Sequence, residues 1–374
     1  MNVYQLITRS DTIGGAQVHL RSLCHLLKKD GHKVLVLAGG NGIFHDVLLD
    51  DEIKSIPLDY LKRDICLISD VQSILYLRKF LKNNKPDILA IHSAKSGLIG
   101  RIAALGLGIK VIYTVHGWSH IKNASRLSSN LYCWIDKILA LITDEIICVS
   151  KSDVEFSINK MHINSEKVNL IYNGVAEYSL DVELKGKRIN SSDVFKIICV
   201  TRFQEPKDNL SIIHAIKVLL TKSPFVKINV DFFGDGEELC SLKEVVRELE
   251  LDEYVHFNGF SNDLISCYRQ YDCFLLSSFS EGLPMSIIEA MSNKLPIIAS
   301  DVGGISELVF DKYNGMKFTA GDIDGIVDSI LFIMKLSADE YNNMSEASYK
   351  LYLRDFTIEN MYSSTLSVYI GDNK

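Results

Sequence analysis

Short apolar runs alternate with longer segments of helical periodicity along the whole chain. The apolar runs predict two series of buried β-strands, at 3–8, 33–37, 87–91, 111–115, 145–149 and 168–172, and then at 195–201, 227–233, 255–257, 273–276, 296–299 and 315–318. Helical segments lie between them, among them 16–29, 71–82, 210–220, 240–250 and 284–291, and a longer one closes the chain at 341–369. Continuous apolar strands that alternate with helices are typical of parallel sheets covered by helices on both faces.

The alternation occurs twice, and a charged segment of low hydrophobicity at 183–190 separates the two series. A chain of 374 residues is also too long for one ordinary hydrophobic core. We therefore predict two Rossmann-like, doubly wound α/β domains that face a central cleft. The first spans 1–182, with a C-terminal helix at about 355–374 packed back on it, and the second spans 183–354. Ligands of such sheets bind at the carboxyl ends of the strands, so the candidate chemistry is expected in the loops there.

The loop after the strand at 273–276 carries two carboxylates eight residues apart, Glu281 and Glu289. Gly282 and Pro284 predict a tight loop followed by the first turn of a helix, where backbone N–H groups that lack helical partners can bind a phosphate. Two carboxylates on either side of such a turn suit a ligand with a phosphate in the middle and hydroxyl-bearing rings at both ends, as in a nucleotide sugar. Ordinary solvated carboxylates are the alternative, which the apolar neighbours make less natural.

Two cations, Arg202 and Lys207, follow the first strand of the second series. Arginine offers a fork to two oxygens and lysine acts as a point charge, so both can converge on one diphosphate. A surface turn with incidental charges is the alternative. Further glycine-rich loops follow strands at Gly234 and at 301–307, and each is also explained by turn geometry alone.

The first half of the chain carries two weaker candidates. Gly14 and Gly15 open a helix after the first strand, where backbone can approach an anion closely, although a glycine turn without a ligand explains them equally well. They do not form the G-x-G-x-x-G pattern, which disfavours a dehydrogenase. His116 follows a strand directly and can hydrogen-bond a sugar hydroxyl, or it serves as a structural polar residue. His92 is a similar but weaker candidate.

Composition and charge narrow the class of protein. A hydrophobic content of 47% and a charged content of 23% are those of a globular protein without low complexity. No apolar run reaches the length of a membrane span and no export leader is recognisable, so we expect the cytoplasm. The eight cysteines are scattered without a C-x-x-C pair, which disfavours structural zinc and a disulfide framework. Asp322 and Asp324 form a D-x-D string outside any strand context, and we expect no metal there.

Charge is distributed unevenly between the two halves. Residues 1–185 carry a net charge of +3 and the remainder carries −10. Basic residues recur along the predicted helix at 71–82, and cations and aromatic residues lie among apolar ones at 120–141. Solvated or packed helix faces are one interpretation, and a surface that contacts anionic lipid is the other. An acidic chain without interleaved basic and aromatic residues argues against nucleic acid.

Together these elements resemble glycosyltransferase family 4, the retaining sugar transferases of the GT-B fold. The resemblance covers essentially the whole chain, and its most specific element is the Glu-x7-Glu motif at Glu281 and Glu289. It implies roles for Arg202 and Lys207 in binding the donor diphosphate, for Glu289 in binding the ribose, for Glu281 in contacting the transferred sugar, for His116 beside the anomeric centre, and for Gly14, Gly15, Gly234, Gly282 and Leu283 in the nucleotide-sugar site.

The resemblance also implies a reaction. A hexosyl or N-acetylhexosaminyl group passes from a nucleoside-diphosphate sugar, for which we expect a uridine nucleotide, to an acceptor hydroxyl without a metal or other cofactor. The segments 92–101 and 114–118 are similar to the subset that builds bacterial surface polysaccharides such as O-antigen or capsule. In that subset the glycan acceptor is carried on polyprenyl diphosphate at the inner membrane face, which implies peripheral contact of the N-terminal domain with anionic membrane.

Other functions remain open at this point. A nucleotide-sugar epimerase or a phosphorylase can use the same two-domain fold, although a phosphorylase needs a cofactor lysine that the sequence does not identify. An epimerase would interconvert its sugar without any acceptor. A non-catalytic regulator that binds a glycan or nucleotide is the alternative from a different class.

Overall fold

The computed structural model describes residues 1–177, 194–259 and 264–371. The chain divides into two compact units. Unit 1 comprises Met1–Asn173 and Ile358–Lys374, and unit 2 comprises Gly174–Thr357. The predicted linker at 183–190 lies outside the described residues, together with the predicted boundary between 182 and 183.

Unit 1 contains a parallel seven-stranded sheet in the order β3-β2-β1-β4-β5-β6-β7. Its strands are β1 (Asn2–Ile7), β2 (Lys33–Gly39), β3 (Ser55–Leu58), β4 (Ile88–His92), β5 (Lys110–Val115), β6 (Glu145–Cys148) and β7 (Val168–Leu170). Its helices are α1 (Gly15–Lys29), α2 (Ile43–Asp50), α3 (Leu67–Asn84), α4 (Ala94–Ala104), α5 (Ser119–Lys122), α6 (Arg126–Leu141) and α7 (Lys151–Glu155), with a π-helical turn at Phe156–Lys160, a 3₁₀ turn at Ser165–Lys167, and the C-terminal α15 (Ile358–Ile370).

Unit 2 contains a parallel six-stranded sheet in the order β10-β9-β8-β11-β12-β13. Its strands are β8 (Phe195–Val200), β9 (Ile228–Phe233), β10 (Val255–Phe257), β11 (Cys273–Leu276), β12 (Ile297–Ser300) and β13 (Gly315–Phe318). Its helices are α8 (Asn209–Lys222), α9 (Leu239–Glu248), α10 (Ile265–Tyr268), α11 (Met285–Ser292), α12 (Ile305–Leu308), α13 (Ile323–Met334) and α14 (Ala338–Asp355).

Both sheets reverse their strand order beside the first strand, which is where a doubly wound fold opens a crevice for ligands. In unit 1 the chain runs from β1 outward to β3 and then resumes on the other side of β1 at β4. In unit 2 it runs outward to β10 and resumes beside β8 at β11. All four residues of β11 are buried, as expected of a central parallel strand that is covered on both faces. The predicted fold class, two doubly wound parallel-sheet units, is confirmed.

Three sequence predictions need correction at the level of elements. The short edge strand β3 was not predicted, because its four residues include Pro57, which a sheet tolerates only at an edge. The segment at 341–369 forms two helices rather than one, since α14 ends before the buried Phe356, whose carbonyl accepts a hydrogen bond from the Val175 N–H. The segment at 120–141 likewise contains two helices, because the Ser125 hydroxyl caps the start of α6.

Candidate active site

The loop that follows β11 is paired with the loop that follows β8. Lys207 and Ser278 form an antiparallel bridge, flanked by hydrogen bonds from the Phe279 N–H to the Pro206 carbonyl (2.8 Å) and from the Asp208 N–H to the Ser277 carbonyl (3.0 Å). These backbone bonds fix the Lys207 side chain beside the loop that carries the first glutamate of the Glu-x7-Glu motif.

Lys207 and Glu281 form an ion pair. Nζ of the lysine lies 2.5 Å from Oε1 of the glutamate, and the two side chains are only 10% and 13% exposed. A shielded pair such as this is screened less by salt than a surface pair. The structure thus brings together one cation and one carboxylate of the predicted set.

Arg202 lies in the loop directly after β8, with an exposed side chain. Its backbone is held in place, because the Arg202 carbonyl accepts hydrogen bonds from Nδ2 of Asn209 (3.1 Å) and from the Thr201 hydroxyl (3.3 Å). These bonds hold the backbone of Arg202, a long cationic residue, at the carboxyl end of β8.

Two glycines allow the loops around these residues to pack. Gly234 has a φ of +138°, and a Cβ there would lie 1.8 Å from the Thr201 carbonyl oxygen. Gly303 has a φ of +54°, and a Cβ there would lie 2.0 Å from the carbonyl oxygen of Glu281. A larger residue at either position would displace the loop that carries Arg202 or Glu281.

The helix after the Glu281 loop is α11, and it begins one residue later than predicted. Pro284 has extended backbone angles (φ −69°, ψ 121°) and occupies the N-cap position, so the first helical residue is Met285. A proline side chain has no oxygen with which to cap the helix, so the amides of the first turn receive no help from it. The Gly282 carbonyl accepts a hydrogen bond from the Gly304 N–H (2.9 Å), and Leu283 is buried.

Glu289 lies in the second turn of α11 and contacts a tyrosine that the sequence did not reveal. The Tyr268 hydroxyl donates to Oε2 of Glu289 over 2.9 Å. Burial raises the pKa of the Glu289 carboxyl, and the hydrogen bond from Tyr268 offsets part of that rise. Burial and the neighbouring Glu289 both raise the pKa of Tyr268, so its hydroxyl keeps its proton. No motif marked Tyr268, because it lies in the short helix α10 far from the glycine-rich loops.

In unit 1, Gly14 is the N-cap of α1, and its amide is engaged within the protein. The Gly14 N–H donates to Oε1 of Gln17 (3.2 Å), and Nε2 of Gln17 donates to the Arg9 carbonyl (3.2 Å). Gly15 is the first residue of α1. Gln17 therefore occupies the Gly14 N–H in this structure, and anion binding at this turn stays a prediction.

His116 belongs to a cluster of three imidazoles in unit 1, which we call the histidine cluster (His19, His92 and His116). Nδ1 of His92 lies 3.0 Å from Nε2 of His116, and the His19 and His116 rings meet edge to face with centroids 5.0 Å apart. From the sequence His92 is a weaker candidate, and His19 was not predicted. The missed clue was that His19 lies on α1 one turn after Gly15.

Burial keeps the histidine cluster neutral at physiological pH. Desolvation lowers the pKa of His19 to about 4 and holds the pKa values of His92 and His116 well below 6.5. Nδ1 of His19 is buried and has no hydrogen-bond partner among the described residues. One nitrogen of each ring lies within 4.8 Å of the others, so the three nitrogens are close enough together to bind one metal ion.

The D-x-D string has a structural explanation. The Asp322 side chain caps α13 by accepting from the Gly325 N–H (3.0 Å), and Asp324 pairs with Lys222 over 2.8 Å at the surface. Within the described part of the chain, no helix combines the length and apolar character needed to cross a membrane.

Comparisons with known proteins agree with these two units. The model of "Glycosyltransferase Family 4" matches residues 13–177, and the model of "Glycosyl transferases group 1" matches residues 183–351. The chain is 33% identical over 99% of both lengths to the O-antigen biosynthesis glycosyltransferase WbnH of Escherichia coli. It is 30% identical, over 76% of this chain and 75% of the relative, to an Escherichia coli UDP-Gal:alpha-D-GlcNAc-diphosphoundecaprenol alpha-1,3-galactosyltransferase.

Solved structures show the same fold. The Anabaena protein Alr3699/HepE, crystallised with UDP-glucose, superposes with a TM-score of 0.83 at 17% identity and covers 99% of this chain and 100% of its own. Two Rossmann-like units, the matches to both family models, and a relative that is similar over nearly the whole length lead to one assignment. The chain is a glycosyltransferase and belongs to glycosyltransferase family 4, with the GT-B fold.

Proposed function

We propose that this glycosyltransferase moves a sugar, with retention of configuration, from a UDP-sugar to a glycan carried on polyprenyl diphosphate during O-antigen assembly. The Lys207–Glu281 ion pair carries the proposal, because it places a shielded cation next to the carboxylate loop at the carboxyl end of β11. One Escherichia coli relative is named as a UDP-Gal-dependent transferase that acts on a diphosphoundecaprenol-linked sugar, which supports the choice of donor and acceptor.

Lys207 and Arg202 act on the leaving group. When the sugar–oxygen bond breaks, negative charge grows on the departing diphosphate and the sugar gains oxocarbenium character. A fixed cation that gains attraction as this charge develops stabilises the transition state more than the ground state. The Lys207 ammonium supplies such a charge, and the exposed Arg202 side chain adds a forked donor. The reaction then needs no metal, and activity should survive exhaustive chelation.

The carboxylates serve different purposes. In the structure Glu281 is the partner of Lys207, so the donor diphosphate competes with it for the ammonium, and Glu281 is then free to accept hydrogen bonds from the transferred sugar. Glu289, oriented by Tyr268, accepts hydrogen bonds from the ribose hydroxyls. Retention follows from attack on the face that the diphosphate leaves, with the leaving phosphate taking the proton of the acceptor hydroxyl. Neither glutamate then forms a covalent bond to the sugar.

The acceptor brings the enzyme to a membrane, and α6 of unit 1 has the side chains for such a contact. Its exposed apolar residues recur with a spacing of three or four and form one face, which we call the α6 face: Leu127, Leu131, Trp134, Ile138 and Leu141. Arg126 and Lys137 on the same helix are also exposed. An exposed amphipathic helix with a tryptophan and flanking cations suits the interface of an anionic bilayer. We propose this contact as peripheral and on the inner membrane face.

The experiment is a donor panel with the purified chain. UDP-, GDP- and ADP-linked sugars are offered with a short polyprenyl-diphosphate glycan, and nucleoside diphosphate release is followed together with the product by mass spectrometry and by the anomeric coupling of the new linkage. The proposal expects a UDP-sugar to be used, an α-donor to give an α-product, and EDTA to leave the rate unchanged. UDP release accompanied by a product of inverted anomeric configuration would contradict the retaining mechanism.

The panel also separates the alternatives. An epimerase would convert its UDP-sugar without acceptor, and a regulator would bind nucleotide without turnover. Lys207→Ala should lose activity, whereas Lys222→Ala is the matched control because Lys222 forms an exposed ion pair with Asp324 in the same unit. If both variants were equally active, Lys207 would have no role in the transfer and the proposal would be refuted.

A further inference from the structure

A chain of hydrogen bonds, buried except at its partly buried His116 end, connects Tyr369 to His116 within unit 1. Nε2 of Gln5 donates to the Tyr369 hydroxyl (3.3 Å), Nε2 of His92 contacts Oε1 of Gln5 (2.8 Å), and Nδ1 of His92 contacts Nε2 of His116 (3.0 Å). Gln5 and His92 have no exposed surface, and Tyr369 is buried. We call these four residues the buried relay. It joins β1, β4 and the C-terminal helix α15 to the loop that follows β5.

The relay specifies which nitrogen of each imidazole carries hydrogen. Oε1 of Gln5 can only accept, so Nε2 of His92 must carry the hydrogen that lies between them. A neutral imidazole has one N–H, and therefore Nδ1 of His92 is an acceptor. Nε2 of His116 must then be the donor across the 3.0 Å contact. The neutral His116 is left with an unprotonated Nδ1.

The surroundings support neutral rings. Desolvation lowers the pKa values of both His92 and His116, and the neighbouring His19 lowers them further. The His19 and His116 rings pack edge to face, which opposes rotation of His116 away from His92. Three buried polar side chains, Gln5, His92 and Tyr369, are thus hydrogen-bonded in a way that fixes the partly buried His116 ring at the end of a strand.

We propose that Gln5 and His92 are positioning residues that hold His116 as the Nε2–H tautomer, so that Nδ1 of His116 accepts a hydrogen bond from a hydroxyl of the sugar substrate. The second half of the proposal rests on the proposed function, because it requires a sugar substrate. The tautomer itself is a property of the unliganded chain. Gln5 and His92 act through His116 and do not themselves contact substrate.

The tautomer is measured directly by NMR. The full-length chain is labelled with ¹⁵N-histidine, and long-range ¹H–¹⁵N spectra are assigned by loss of signals in His116→Gln and His92→Gln. A protonated, pyrrole-type Nε2 and an unprotonated, pyridine-type Nδ1 are expected for both rings. A hydrogen on Nδ1 of His116, or two protonated nitrogens on that ring, would overturn the relay.

A pair of His92 variants tests the positioning role. Asparagine places its amide the same number of bonds from Cα as Nδ1 of histidine, so His92→Asn can still accept from Nε2 of His116. The longer side chain of His92→Gln extends toward Gln5 instead, so Nε2 of His116 loses its acceptor. We expect kcat of His92→Gln to fall about 2- to 10-fold, the effect of one neutral hydrogen bond, with the KM for acceptor unchanged, while His92→Asn stays near wild type. Equal values for the two variants, or a His116 tautomer that neither variant alters, would refute the role.

The outcomes separate this proposal from the proposed function. If the spectra show the Nε2–H form but no sugar donor supports transfer, the tautomer is retained and the proposed function fails. If transfer proceeds while His116 carries its hydrogen on Nδ1, the relay fails and the function stands. A metal present at one equivalent per chain and lost in His19→Leu would also overturn the relay, because a metal would replace the hydrogen bond between His92 and His116.

Discussion

Nζ of Lys207 lies 2.5 Å from Oε1 of Glu281, although the two residues are 74 positions apart in the chain. The contact exists because parallel strands β8 and β11 are neighbours, so the loops at their carboxyl ends meet. Gly303 lies so close to the Glu281 carbonyl that a Cβ there would not fit. The pair therefore results from the packing of the loops of unit 2. Each of its two charges can be removed separately by substitution.

Glu281→Gln removes the carboxylate charge and keeps the size of the side chain. We expect kcat to fall roughly 100-fold, the lower end of the loss found when one preorganised polar group of an active site is removed, and the fold to remain intact because the amide oxygen still accepts from Lys207. Steady-state kinetics at saturating donor give the value. Asp324→Asn, which neutralises the partner of Lys222, is the control and should retain full activity. A kcat for Glu281→Gln within twofold of wild type would exclude a role in turnover.

Tyr268→Phe removes the hydroxyl that donates to Glu289. Because that hydrogen bond favours the charged carboxylate, its loss should raise the pKa of Glu289 further and weaken binding of the ribose. We expect the Kd for UDP to rise about 2- to 10-fold, the effect of one hydrogen bond, while kcat at saturating donor changes little. Isothermal titration at pH 8 measures the affinity. Tyr313→Phe, at an exposed tyrosine of the same unit, should bind UDP normally. An unaltered UDP affinity of Tyr268→Phe would contradict the role of Glu289 in binding the ribose.

Unit 1 should lose stability in mild acid because its buried histidines resist protonation. The folded pKa of His19 is about 4 and the unfolded value is 6.5, so between these values the unfolded chain binds more protons. The free energy of unfolding should therefore fall as pH drops from 6.5 toward 4, by about 3 kcal/mol for His19 alone. Both tryptophans of the chain, Trp118 and Trp134, lie in unit 1, so their fluorescence during urea unfolding reports on this unit.

The matched variants for this experiment are on one helix. His19→Leu should flatten the pH dependence by removing a buried titrating group, whereas His25→Leu, at an exposed position of α1, should leave it unchanged. Identical pH profiles for wild type and His19→Leu would show that His19 is not held neutral by burial.

The α6 face should bind anionic membranes. Replacing Leu131 and Trp134 with serine removes two apolar side chains that are 54% and 62% exposed, so unit 1 loses little internal packing. We expect wild-type protein to sediment with vesicles of phosphatidylglycerol and phosphatidylethanolamine at low salt and the double variant to stay in the supernatant. Phe225→Ser is the control, because Phe225 is the most exposed aromatic residue described and lies in unit 2. Equal sedimentation of the double variant would exclude the α6 face.

Much of this architecture follows from local patterns. Alternating apolar runs and amphipathic helices predict parallel sheets, and the carboxyl ends of neighbouring parallel strands must lie together. That rule is sufficient to place Lys207 near the loop of Glu281. Edge strand β3 escaped prediction because a four-residue strand with a proline has too few positions to show a period. The start of α11 was misplaced by one residue because Pro284 is compatible with both the N-cap and the first turn.

The supporting residues were not predictable in the same way. Tyr268 reaches Glu289, and Gln5 reaches Tyr369, through side-chain contacts that depend on how elements pack and not on any repeating pattern. His19 could have been noticed from its place one turn into the helix that opens at Gly15. Its contact with His116 still could not be predicted, because the contact depends on the order of β1, β4 and β5 in the sheet.

We propose that the positive charge of Lys207 stabilises the departing diphosphate. The most direct measurement is the single-turnover rate of UDP release at saturating donor and acceptor for wild type, Lys207→Ala and Lys222→Ala. We expect a fall of roughly 10²- to 10³-fold for Lys207→Ala, as for other preorganised charges aimed at a transition state, and an unchanged rate for Lys222→Ala. A single-turnover rate for Lys207→Ala that equals the wild-type rate would contradict it.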